Sequence, residues 1–132
     1  MNYEVKDFEA MCVEEGAPDL RERTRAFALR IIRLFSSLPK TTEAQVLGKQ
    51  VLRSGTSVGA NYREAYRSRS DAEFISKFGD CLKELDETSY WLELLIGAEI
   101  LKQERLADLL DETNQLIAIF TSIAKKVKAR RS

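Results

Sequence analysis

The chain has 132 residues, 44% hydrophobic and 32% charged, with 21 basic side chains balanced by 21 acidic ones. That is the length of one ordinary domain with enough apolar matter for one core. No apolar run approaches the ~20 residues of a membrane span, and MNYEVKDFEA lacks the basic-then-apolar order of a secretory signal, so a cytoplasmic location without a membrane partner is expected. Histidine is absent, which removes the commonest general base, metal ligand and partner of a nucleophile. Cys12 and Cys81 stand alone with no CxxC partner. The expectation is a non-enzymatic chain with no cofactor, no metal, no disulfide and no catalytic residues.

Residues 1–18, acidic and aperiodic, are expected to form an extended or mobile arm. Three helix starts then carry a capping signature, a small polar residue followed three positions later by Glu or Gln: Asp19 with Glu22, Thr42 with Gln45, and Ser70 with Glu73. Pro39 closes the first helix and Gly97 the third. The predicted helices span about 19–38, 42–69, 71–97 and 103–129. Their apolar stripes are Leu20, Phe27, Ile31, Leu34, Phe35 and Leu38; Leu47, Val51, Gly55, Val58, Tyr62 and Ala65; Phe74, Phe78, Leu82, Leu85, Leu92 and Ile96; and Leu106, Leu109, Leu110, Leu116, Ile117, Phe120, Ile123 and Val127. Strand-like alternation is sustained nowhere. Short connections between long helices make neighbours antiparallel, which predicts an all-α, up-down-up-down four-helix bundle over 19–132.

The second helix contains the unusual stretch RSGTSVGANYREA, residues 53–65. Its glycines suggest a phosphate-holding loop, but GTSVGANY has no GK[ST] ending and no preceding strand. The stripe runs through it unbroken, so the glycines are read as thinning a helix where a neighbour packs closely, at a cost of roughly 1 kcal/mol each relative to Ala. Asn61 and Glu64, near the edge of that stripe, are expected to join Gly55, Val58 and Tyr62 in helix packing, through a buried polar network that fixes register. A di-iron bundle needs Glu-x-x-His twice, which a chain without histidine lacks.

Neutrality is an average over segregated blocks. Residues 20–70 hold eleven basic and three acidic groups, 71–112 hold four and twelve, and 113–132 hold five and none. At 100° per residue, Lys49, Arg53, Arg63 and Arg67 form a basic ridge on the second helix, with Thr56 and Ala60 making a shallow notch between them. Glu73, Asp80, Glu84 and Glu87 share one flank of the third helix, continued by Trp91 and Leu94. Three readings follow: a solvated, ion-paired surface; contact between the acidic flank of one subunit and the basic ridge of the next; and binding of nucleic-acid phosphates by the ridge together with Lys125, Lys126 and Lys128 of the tail KKVKARRS. Tyr62 and Phe78 belong to the core; Tyr66 and Tyr90 lie at stripe margins, with base stacking by Tyr66 beside Arg63 and Arg67 as a further expectation.

The run QVLRSGTSVGANYREAYRSRSDAEFISKFGDCLKELDETSYWLELL, from Gln50 to Leu95, resembles the bacterial four-helix bundle proteins associated with intervening sequences inserted in 23S ribosomal RNA genes. The small-residue run followed by Ala60-Asn61 and Glu64-Ala65, the phenylalanine-rich start of the third helix and the ELDET segment carry the resemblance. It implies a homopentameric ring in which each subunit touches two neighbours. The accessory proteins of diversity-generating retroelements look like relatives, basic barrels that bind nucleic acid and a reverse transcriptase; this chain differs in its neutrality and acidic arm. The function expected is binding of RNA or DNA backbone by a helical oligomer. The alternative is a structural or adaptor assembly that works through protein contacts alone.

Overall fold

The computed structural model describes residues 19–131; the expected N-terminal arm and Cys12 lie outside the described residues. Four helices follow in chain order: α1 (Leu20–Ser36), α2 (Thr42–Tyr66), α3 (Asp71–Gly97) and α4 (Gln103–Arg131). Each packs on the next, α1 on α2, α2 on α3 and α3 on α4, and short links make neighbours antiparallel. The fourth side is closed by Arg23 of α1, whose guanidinium donates to Glu112 Oε1 and Oε2 and to Gln115 Oε1 of α4, each at 2.8 Å. The architecture is a four-helix bundle.

Local chemistry sets the boundaries. Asp19 accepts the Glu22 amide at 3.0 Å and Ser70 that of Glu73 at 3.1 Å, filling donors that a helix start leaves orphaned. The expected cap of α2 is corrected by one residue. Thr41, in extended conformation, accepts from Ala44 N, while Gln45 reaches back to the Pro39 carbonyl at 2.8 Å. The C-terminal end of α2 also falls earlier than predicted, at Tyr66 instead of about 69. Ser70 must adopt φ −152° and ψ 162° to cap α3, so the residues leading into it leave the helix. After Gly97 and the cap Ala98, the left-handed position of the turn is taken by Glu99, at φ 60°.

The bundle core contains Phe27, Ile31, Val51, Val58, Phe78, Leu85, Leu92, Leu116, Phe120 and Ile123, all at most 1% exposed. Burial of each is worth about 1.5–3 kcal/mol. At one end of the bundle Phe74 stacks on Phe78 and Phe78 on Phe120, with centroids 4.6 and 4.9 Å apart, and Tyr62 meets Phe120 edge-on. The predicted stripes are displaced in places. Leu47, Leu82, Ile96, Leu110 and Ile117 are only partly buried, whereas Gly48, Cys81, Thr88, Leu95 and Thr113 are buried. Thr113 is accommodated by donating to the Leu109 carbonyl at 2.8 Å.

The glycines of α2 lie within an unbroken helix. A Cβ on Gly55 would sit 2.7–3.0 Å from three side-chain atoms of Ile31, and one on Gly59 would sit 3.2 Å from Thr24 Oγ1. The small residues therefore bring α1 and α2 together. On the opposite face of α2, the buried Ser54 and Thr88 hydroxyls meet at 2.8 Å, and Thr88 also donates to the Glu84 carbonyl.

Candidate nucleic-acid interface

The predicted ridge on α2 divides into parts with different partners. Arg53 is not a free cation: its guanidinium donates to Glu84 at 3.1 and 3.3 Å and to Glu87 at 2.5 Å. Those hydrogen bonds, Glu87's foremost, hold the Arg53 pKa above its ordinary value. The wheel angle that aligns Arg53 with Lys49 also tilts it toward α3, where the carboxylates stand. Lys49 and Arg67 are exposed, and Arg67 caps α2.

Arg63 is half-buried and turns toward α1. It shares a surface groove of about 300 Å³ with Arg25, floored by Thr24, Thr56, Gly59 and Ala60. The notch anticipated between basic residues is thus a seam between two helices. Its floor is low because Gly59 lets Thr24 approach, and Thr24 itself returns its hydroxyl proton to the backbone of α1. Arg25 makes only a loose pair with Glu22 at 3.3 Å, with more than half of each side chain exposed, and Arg63 makes no ion pair among the described residues. Screening leaves an exposed pair like Arg25–Glu22 little net strength.

The basic C-terminal segment continues α4 as helix through Arg131, with Ile123, Ala124 and Val127 packed into the bundle. Lys125 and Lys128 are exposed and Lys126 is half-buried. Antiparallel order brings this end of α4 to the same end of the bundle as the start of α1 and the close of α2. Arg25, Arg63, Arg67 and the α4 lysines therefore share one end.

The acidic flank of α3 needs correction as a free edge. Glu84 is buried and Glu87 half-buried, both engaged by Arg53 within the subunit. Glu73 is exposed and Asp80 half-buried. Lys77 pairs with Glu64 at 3.1 Å, and that bond, reinforced by the charges of Asp80 and Glu73, raises the Lys77 pKa. Glu64 is accordingly an exposed cross-helix partner and not part of a buried network, and Asn61 is half-buried. The buried polar contact between α2 and α3 is Ser54–Thr88, two small hydroxyls that sequence reasoning did not single out. Trp91 and Leu94 are half-buried, the neighbouring Tyr90 is 54% exposed, and the Trp91 indole N–H is buried without a hydrogen-bond partner among the described residues.

Also missed was the charge on α1. Arg21, Arg23, Arg25, Arg30 and Arg33 face one acid, Glu22, within that helix, a signal contained in the block of eleven basic residues but hidden when only α2 is placed on a wheel. Among the described residues no group of three or more Cys, Asp or Glu is placed to hold a metal ion, and no helix is long and apolar enough to cross a membrane. Cys81 is buried, with its thiol against the Val58 carbonyl at 3.6 Å, and burial pushes its pKa well up.

Fold and surface together define a small helical bundle protein with a basic seam between its first two helices. The family model for the 23S rRNA-intervening sequence protein matches residues 19–122, and the chain belongs to that family. It is similar to a crystal structure of a protein with unknown function from the S23 ribosomal protein family of Bacteroides thetaiotaomicron VPI-5482, at 41% identity and a TM-score of 0.75, over 80% of this chain and 94% of that one. Comparison with curated proteins finds no match.

Proposed function

We propose that this protein is a non-enzymatic, cytoplasmic, oligomeric bundle that binds the backbone of RNA or DNA through the α1–α2 seam and the adjoining end of α4. The observation that carries the reading is the groove between Arg25 and Arg63, where small residues let a phosphate come close and Arg63 has no carboxylate to displace among the described residues. Guanidinium forks match phosphate oxygens, and neutralised phosphates release counterions. Lys49, Arg67, Lys125, Lys126 and Lys128 extend the footprint, whereas Arg53 serves α2–α3 packing. Such contacts fix position on the backbone without reading bases.

Fluorescence anisotropy with labelled single- and double-stranded oligonucleotides at two salt concentrations tests this. Affinity should fall with salt and weaken in Arg25→Gln plus Arg63→Gln. Absence of binding at low salt refutes the reading.

A second reading, an assembly working through protein contacts, is favoured by the exposed Tyr90 ring packed beside the half-buried Trp91, with centroids 5.1 Å apart. Under it, subunits meet along Trp91 and Leu94, with Glu73 and Asp80 as the acidic residues left for a neighbour, in the homopentameric ring that the family resemblance implies. Sedimentation of the Trp91→Ala protein decides: an unchanged mass removes that flank from the subunit contact.

A further inference from the structure

We infer that Arg30, Arg33 and Arg105 form a separate anion site, at the seam between α1 and α4, that takes the doubly charged phosphate group of a phosphate monoester. Their side chains line one groove of about 290 Å³ with Ser37, Leu106 and Leu109. Arg30 is half-buried, Leu106 and Leu109 are buried, and none of the three arginines forms an ion pair among the described residues. The carboxylates closest along α4, Glu104 and Asp108, are exposed, do not line the groove and pair with none of the three arginines.

Three guanidinium groups around one depression repel one another, most at the half-buried Arg30 and less at Arg33 and Arg105, which water reaches. The position of Arg105 adds to the conflict. It stands beside Glu104 in the first turn of α4, where the helix dipole disfavours a cation. A cation placed there with no ion pair among the described residues marks a site whose compensation comes from outside.

The charge and shape select the ligand. A phosphate monoester carries close to two negative charges at neutral pH and presents three acceptor oxygens, enough for three forks. A carboxylate supplies one charge and two oxygens. The groove is also larger than the space of a few waters, at about 30 Å³ each, so the group esterified to the phosphate fits against Leu106 and Leu109. That phosphate belongs to a free nucleotide or to the end of a nucleic-acid strand, two sources with one chemistry. The site is independent of the α1–α2 seam, since Arg25 and Arg30 lie about 140° apart around α1 at 100° per residue.

The test follows arginine Nε–H signals in proton–nitrogen NMR spectra of the full chain, titrated with inorganic phosphate, adenosine 5′-monophosphate, and a 5′-phosphorylated oligonucleotide beside its 5′-hydroxyl twin. The expected result is a saturable, joint shift of Arg30, Arg33 and Arg105 with the phosphate-bearing ligands and not with the twin. Arg105→Gln and Arg30→Gln should each weaken it about tenfold or more, with Arg33→Lys, which keeps the charge but loses the fork, also weaker. Arg63→Gln should leave these shifts intact, so failure at the α1–α2 seam is separable from failure here. Response to the mononucleotide without added affinity for the phosphorylated strand assigns the site to a free nucleotide, and the reverse assigns it to strand ends. No saturable shift with either the mononucleotide or the 5′-phosphorylated strand, or a response to the 5′-hydroxyl twin as strong as that to the mononucleotide, overturns the proposal.

Discussion

Adding one methyl group at Gly55 tests how α1 and α2 are held. In isolation, Gly→Ala inside a helix gains about 1 kcal/mol. At Gly55 the new Cβ would lie 2.7, 2.9 and 3.0 Å from Cγ1, Cγ2 and Cδ1 of Ile31, a fully buried β-branched side chain whose helical rotamer is fixed. Ile31 cannot swing away, so the helices must part or the side chain must strain, at about 1–3 kcal/mol for overpacking of this kind. The net effect is a loss of up to about 2 kcal/mol. Gly79 of α3 is the internal control, being exposed, with nothing within 4 Å of the point where a Cβ would stand; Gly79→Ala should gain the ~1 kcal/mol alone. Intrinsic propensity cancels in the comparison, so urea unfolding should place the two variants about 1–3 kcal/mol apart. Ile31→Ala combined with Gly55→Ala should recover part of the clash as a coupling energy. If Gly55→Ala is as stabilising as Gly79→Ala, the close approach of α1 and α2 is wrong, and so is the reason given for the glycines.

Three further outcomes are expected. Arg53→Ala strands the nearly buried Glu84 beside Glu87 and should cost about 1–2 kcal/mol in urea unfolding, below the value for a fully buried pair because Arg53 is half exposed; Lys49→Ala, on the same ridge, should stay within ~0.5 kcal/mol of the parent. Glu99→Gly relieves a left-handed non-glycine residue and should raise stability by about 1 kcal/mol, seen as a higher Tm. In a Cys12→Ser background Cys81 should resist thiol reagents until the protein unfolds. Its raised pKa also makes the Cys81 contribution to stability constant below the ordinary thiol value of 9.0 and smaller above it, because only the unfolded chain then loses the proton; a urea midpoint that falls no more steeply up to about pH 10.5 than that of Cys81→Ala would contradict this.

The axial order of the bundle was legible in the residues. Asp19 and Ser70 cap where the pattern places them, Pro39 lies just beyond α1, and no proline interrupts the glycines of α2. These are local effects: a cap bonds an amide three residues away, and a backbone without Cβ remains a backbone able to coil. The displaced boundaries are local as well, but competitive. Thr41 and Thr42 are both competent caps, and the link after Tyr66 is settled by the geometry Ser70 needs.

The site was legible only in part. A wheel groups Lys49, Arg53, Arg63 and Arg67 on one side of α2, yet that side borders α3 at Arg53 and α1 at Arg63, giving one residue two carboxylates and the other none among the described residues. A single-helix projection carries no information about which neighbour stands a few ångströms off its rim. For the same reason Arg30, Arg33 and Arg105 were silent, since they come from helices at opposite ends of the chain.

The sequence by itself determined that this chain makes long amphipathic helices, where they start, and that its cations are concentrated before residue 70 and after 112, because periodicity, capping and charge are properties of neighbours along the chain. Only the tertiary structure decided which of those cations are neutralised. Ion pairing falls off over a few ångströms, and contacts such as Arg23–Glu112, 89 residues apart, exist only once the helices have packed.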